Sequence, residues 1–327
     1  MIWATAFLLL NPYQGKSFFQ FFAVFFQRLL LLMSGQLSRG DLVSDEIQIF
    51  VLTAIAASCA FLGAFLVLRR MAMLANALSH TILLGVLAAY FAASFFSSDF
   101  QIGGVHLPSM TLLLSAALVT GLLTTLITEV LSKTVGLQED ASIGLVFTSL
   151  FALGIILVTI WTRNMHLGLE VVMGNADALH LDDLDWSLLL LVCNLFLVII
   201  FYKEYLVTTF DPALAKALGI SPIFFNYFLM GQVSASTIAA FRSVGVILVL
   251  AFLVGPCLIA RFFTHRLNRL LVMSSGIAVL TAICGVALTR HVLTVYGIAL
   301  STGATIVSLL FVVFLFACFL YPLRMKN

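Results

Sequence analysis

Apolar runs long enough to cross about 30 Å of hydrocarbon as helix recur along this chain, near residues 47–68, 73–96, 108–131, 142–161, 186–202, 222–240, 243–263, 270–289 and 297–321. Such runs leave few folds open. Each is too long for the roughly ten-residue strand of a membrane barrel, and in lipid every backbone polar group must be satisfied within a helix or a closed sheet. Gly and Ser recur inside the runs, as close helix packing in lipid requires. The expectation is an all-α integral membrane protein, a polytopic bundle of eight or nine transmembrane helices. Its 9% charged residues, against about 25% in soluble domains, agree with that class. Nine spans would take roughly 190 residues, which leaves no room for a water-soluble catalytic domain.

Residues 1–46 read as an amino-terminal extension to the bundle of 47–327. Within it FFQFFAVFFQRLLLLM (18–33) is dense in Phe but broken by Gln20, Gln27 and Arg28, which favours a helix lying in the membrane interface over a further span. The polar stretch 34–46 reads as a loop. The first ten residues lack the basic start and the apolar length of a secretory signal. GKS at 15–17 is no phosphate-binding loop, because the glycine required earlier would fall on Leu10. All five cysteines sit in apolar runs without metal or redox spacing. A formal charge of +2 with scattered basic residues argues against nucleic acid as a partner.

Charge orients the bundle. Arg69, Arg70, Lys133, Lys203, Lys216, Arg261, Arg266, Arg269, Arg324 and Lys326 fall in alternate connections or at the carboxyl end. The other connections hold Arg163, Arg242 and Arg290, and the long loop 162–185 is acidic. The excess of positive charge places the first group, and the carboxyl terminus, in the cytoplasm.

Four places carry chemistry. Asn76 and His80 are four residues apart and share one helix face; His80 lies ten residues past Arg70, roughly 15 Å into the membrane. An imidazole at that depth suits a transition-metal ligand, a hydrogen bond to a neighbouring helix or a proton relay. In FDPALAKALGIS (210–221), Asp211 and Pro212 begin a short helix and Gly219 stops it. This segment is either a docking knob on the cytoplasmic face or an ordinary surface turn. Glu139 and Asp140 precede a span, where acidic residues complement the helix dipole. His180 with Asp182, Asp183 and Asp185 has the composition of a metal site, but it sits in an acidic loop, and a solvated loop is favoured over a metal-gathering or partner-docking role. No hydrolase motif is present, so energy from ATP must come through another subunit.

Six stretches in order resemble the membrane permeases of bacterial ABC-type importers for manganese, zinc and iron: FLVLRRMAMLANALSHTILLG (65–85), LQEDASIGLVFTSLFALGI (137–155), VVMGNADAL (171–179), FDPALAKALGI (210–220), SVGVILVLAFLVGPCLIA (243–260) and GIALSTGATIVSLL (297–310). The resemblance implies a multi-pass protein of the bacterial inner membrane that carries a divalent metal as substrate, without an ATPase of its own. It implies a cytoplasmic ABC ATPase coupled through 210–220, with Asp211, Pro212, Ala215, Leu218 and Gly219 forming the contact, and an external metal-binding protein. The family pattern Asp-Ala-Leu-Ser-His places metal ligands in the path; here His80 is kept but Asn76 stands where the aspartate is usual. Leu84, Ala299 and Ser301 replace a proline, an aspartate and a proline that are common in the family. The missing carboxylate points to a heterodimer with a second, related permease, a homodimer being the alternative. Two rival readings are a permease for larger chelates such as siderophores or cobalamin, and an intramembrane enzyme using His80 as acid or base.

Overall fold

The computed structural model describes residues 11–73, 110–161 and 175–324, together with residues 76, 77, 81, 84, 85, 87, 88, 101, 102, 105 and 106. Eleven helices account for most of these residues: α1 (Phe18–Met33), α2 (Ser44–Leu68), α3 (Met110–Thr134), α4 (Glu139–Trp161), α5 (Leu181–Ile200), α6 (Tyr202–Phe210), α7 (Pro212–Ala217), α8 (Pro222–Val244), α9 (Val246–Arg261), α10 (Leu267–Tyr296) and α11 (Thr302–Arg324). One small antiparallel pair, β1 (Gln101–Ile102) with β2 (Val105–His106), aligns Gln101 with His106 and Ile102 with Val105. Every run expected to span contains helix; in 73–96 this is seen at residues 73, 76, 77, 81, 84, 85, 87 and 88. By length and apolarity, five helices (α2, α5, α8, α10 and the 302–321 stretch of α11) suffice to cross a membrane among the described residues.

The bundle is built around α2. This helix packs on α5, α9, α10 and α8, whereas α11 sits outside α9 and α10, and α3 with α4 join through α8. Burial follows the same order: 83% of the apolar window of α2 is buried, against 17% for α11 and 22% for α5. The last two therefore turn most of their apolar surface outward, the arrangement expected when lipid, not water, surrounds the protein. Among the described glycines the closest approach is at Gly63 of α2, where an added Cβ would lie 1.7 Å from the backbone oxygen of Leu253 on α9. Only glycine permits that approach.

The helix ends differ from the sequence expectation in ways that charge explains. α5 begins at Leu181 rather than near 186, so Asp182, Asp183 and Asp185 stand on its first two turns and not in a loop; carboxylates there complement the positive end of the helix dipole. α2 begins at Ser44, within the stretch read as a loop, and Arg39–Asp41 form a single 3-10 turn. α8 and α9 are joined by Gly245 alone, which shortens the expected connection around Arg242. α10 is 30 residues long and runs on past the apolar stretch to include Arg290.

That extra length meets a partner. Asp45 and Glu46 are both buried at the start of α2, and each has a cation: Arg290 Nη2 lies 2.9 Å from Asp45 Oδ2, and the guanidinium of Arg28 grips Glu46. Asn11 Nδ2 donates to Asp45 at 2.7 Å, and the Tyr13 hydroxyl donates to Glu46 at 2.8 Å. Buried carboxylates persist only when paired in this way. Contacts of α1 to Glu46, Phe50 and His291 lie near one end of the bundle. Arg69, Lys203, Lys216 and Arg266 collect at the other end, called below the basic end.

Candidate functional site

At the basic end α7 protrudes between α6 and α8. Asp211 caps it: one carboxylate oxygen accepts from the backbone N–H of Ala213 at 3.1 Å and of Leu214 at 2.9 Å, and Pro212 occupies the first turn, where its missing N–H costs nothing. The helix closes where expected. Ile220 N–H returns to the Ala215 carbonyl at 2.9 Å and Gly219 N–H to Lys216 at 3.1 Å, with Gly219 at φ +78°, a left-handed conformation that disfavours other residues. Ala215 is fully buried and anchors the knob, while Leu214, Leu218 and the flanking Phe210 are 48%, 61% and 58% exposed. Ser221 then caps α8 by accepting from Phe224 N–H. All five residues assigned to coupling from the sequence thus fall in one cap-to-stop unit.

A residue read from the sequence only as a positive charge holds this unit to the bundle. Arg69, just past the end of α2, donates from Nη2 to Thr208 Oγ1 at 2.9 Å, from Nε to Thr209 Oγ1 at 3.0 Å and from Nη1 to Asn226 Oδ1 at 3.3 Å. Three donors on one planar group fix α6 and α8, the two supports of α7, against the central helix. Burial pushes the Arg69 guanidinium down to about 10, opposed by the nearby Tyr205. It keeps its charge at neutral pH.

From there a second set of polar contacts runs into the apolar core. The buried Tyr205 hydroxyl donates to Gln232 Oε1 at 2.9 Å, Gln232 Nε2 donates to Asn194 Oδ1 at 3.1 Å, and Asn194 Nδ2 donates to Ser58 Oγ at 2.6 Å and Ser236 Oγ at 2.7 Å. Residues from α2, α5, α6 and α8 are thereby joined through neutral groups whose hydrogen bonds are met, which is the condition for placing amides in lipid-surrounded helices. Sequence reasoning missed this network. Its signal was present, since Asn194 and Gln232 are amides inside apolar runs.

The other candidates separate. Asn76 lies on helical backbone and is exposed, and His80 falls outside the described residues. Glu139 is the first residue of α4. The acidic set does not converge: Asp183 accepts from the His180 backbone N–H at 3.0 Å and from Ser243 Oγ at 3.3 Å, while Asp185 faces Arg39 at 3.3 Å. No group of three or more His, Cys, Asp or Glu among the described residues is placed to hold a metal. Asp177, from the same acidic segment, accepts from Thr302 N–H at the start of α11.

Residues 47–321 match the model of the ABC 3 transport family. The chain belongs to that family. It is 41% identical over 306 residues to a probable metal transport system membrane protein of Chlamydia muridarum, covering 94% of this chain and 93% of the other. It is also 39% identical over 244 residues to the manganese transport system membrane protein MntD of Bacillus subtilis, covering 71% and 78%. Among solved structures, PsaBC from Streptococcus pneumoniae in complex with Fab superposes with a TM-score of 0.68 at 27% identity, covering 86% of this chain and 94% of that one. The family model stops short of the extension, but a Chlamydia pneumoniae relative, 37% identical over 314 residues, covers 96% of this chain. Most of residues 1–46 therefore have a counterpart there.

Proposed function

We propose that this ABC 3 family protein is the membrane permease of an ATP-driven importer of a divalent transition metal, with α7 as its contact to a cytoplasmic ATPase. The observation that carries the reading is the α7 unit itself. A six-residue helix capped at both ends, tied to the central helix through Arg69, and presenting Leu214 and Leu218 outward is built to be gripped by another protein rather than to close a loop. The relatives named for manganese and zinc support the metal class; iron rests on the sequence resemblance alone. The basic end is assigned to the cytoplasm, the carboxyl terminus with it, and the opposite end receives metal from an external binding protein.

In this reading His80 and Asn76 line the path. An amide offers a carbonyl oxygen but no charge, so two copies of this chain would meet a dication with imidazoles and amides only. A second permease that keeps a carboxylate at this position would supply the charge that offsets lost hydration. The helix α1, with contacts to Glu46, Phe50 and His291 near one end of the bundle, is assigned to the membrane interface. The test is uptake of manganese, zinc and iron by liposomes containing the chain, the ATPase and the binding protein. Uptake should need ATP, rise when the second permease is added, and fall in His80→Ala at unchanged membrane abundance. Full uptake without the ATPase refutes the ATP-driven reading, and full uptake by the His80→Ala protein removes His80 from the path.

A further inference from the structure

At the end of the bundle opposite the basic one, an open groove of about 690 Å³ lies between the carboxyl end of α1, the 34–43 linker, α2 and α5. Its walls are apolar apart from Arg39 and Thr53. Thr53 adds no unmet polar group, because its hydroxyl donates to the carbonyls of its own helix at Ile49 and Phe50. A wall of this kind does not hold water.

The depth of the groove identifies what fits. Its deepest lining residue on α2 is Ala57, thirteen residues past Ser44 and so about 20 Å along the helix; on α5 it is Leu191, ten residues past Leu181 and about 15 Å along. One leaflet of hydrocarbon is roughly 15 Å thick, half the core of the bilayer. A partner helix would need a seam across the full thickness. This groove ends about half-way along α2 and α5, the extent of one acyl chain in a bilayer that these helices span.

The mouth carries both signs of charge. Arg39 and Asp185 pair there at 3.3 Å with side chains 78% and 67% exposed. So open a pair is worth little in itself, and Arg39 contributes one nitrogen to it, leaving other donors of the guanidinium to face solvent. We propose that this groove binds a single phospholipid of the adjoining leaflet, one acyl chain lying between α2 and α5, the phosphate on Arg39 and a primary ammonium headgroup on Asp185. An anionic headgroup without the ammonium would gain Arg39 but face Asp185 unpaired. The extension then has a role distinct from transport chemistry: α1 and its linker form one wall of a lipid site.

The test is native mass spectrometry of the full chain released from membranes containing equal phosphatidylethanolamine and phosphatidylglycerol with matched acyl chains. One phosphatidylethanolamine per chain should be retained, about fivefold over phosphatidylglycerol, the factor expected of one exposed ion pair. Asp185→Asn should abolish that preference, Arg39→Gln should lower retention of both lipids, and Ala57→Trp, at a half-buried position, should fill the groove and lower retention of both lipids with little change in melting temperature. If Ala57→Trp fails to fold, Leu188→Trp makes the same test from the α5 wall. Equal retention of the two lipids by the unmodified chain, or unchanged retention in the tryptophan variant, overturns the proposal. None of these readouts depends on transport.

Discussion

Replacing Asp211 with Ala removes the acceptor that holds the Ala213 and Leu214 N–H groups at 3.1 and 2.9 Å. Six residues are far fewer than an isolated helix needs to persist in water, so the order of α7 rests on this cap, on Pro212, on the closing bonds at Gly219 and Ile220, and on the burial of Ala215. Loss of an N-cap costs about 1 kcal/mol, which is roughly a fivefold change in the ratio of ordered to frayed segment. Hydrogen exchange in the chain held in a lipid disc should read it directly: the amides of Ala215, Leu218 and Ile220, which close the helix, should exchange about fivefold faster while those of α2 stay unchanged. Asp211→Asn keeps an oxygen in the same place and should restore most of the protection. ATPase stimulation by the permease should fall with the ordered fraction in Ala and recover in Asn. Exchange in Asp211→Ala indistinguishable from the unmodified chain, or Asn as damaging as Ala, would show that the cap does not set the order of α7.

Leu218→Asp should leave α7 ordered, since Leu218 stands at its C-cap and is largely exposed, yet abolish co-purification of the ATPase; burying a leucine is worth about 1.5–3 kcal/mol, so the loss should exceed tenfold in affinity by pull-down titration. Gly63→Ala drives a methyl into the Leu253 backbone, and the yield of monodisperse protein should drop sharply on size-exclusion chromatography, whereas Ala at Gly144, which meets nothing within 4 Å, should have no effect. Asn194→Leu leaves the buried Gln232 Nε2 without its 3.1 Å acceptor, a loss of about 1–3 kcal/mol that should appear as a lower melting temperature at normal insertion.

The spans were legible because lipid imposes one rule on every one of them, and a run of apolar residues near twenty has few other outcomes. The α7 unit was legible for a local reason: Asp-Pro at its start and Gly at its end act through backbone geometry within the nine residues from Asp211 to Gly219, and no distant contact is needed to decide it. What stayed hidden depends on pairing across the fold. Arg69 looks in sequence like any basic residue at a helix end, and only the meeting of α2 with Thr208, Thr209 and Asn226 gives it three acceptors. Asp45 and Glu46 fall, in sequence, at the end of a polar stretch that reads as a loop; their burial follows from Arg28 and Arg290, which lie 18 residues before Glu46 and 245 residues after Asp45. The acidic residues 182, 183 and 185 were assigned to a loop because hydropathy dates a helix from its first apolar turn, whereas carboxylates at the amino end extend the helix beyond it. The same physics separates the two ends of the bundle: at one, buried charges are matched across helices; at the other, one arginine gathers neutral acceptors and leaves the leucines of α7 turned outward, so the end that is tied internally through Arg69 is also the end where the contact to a second protein is proposed.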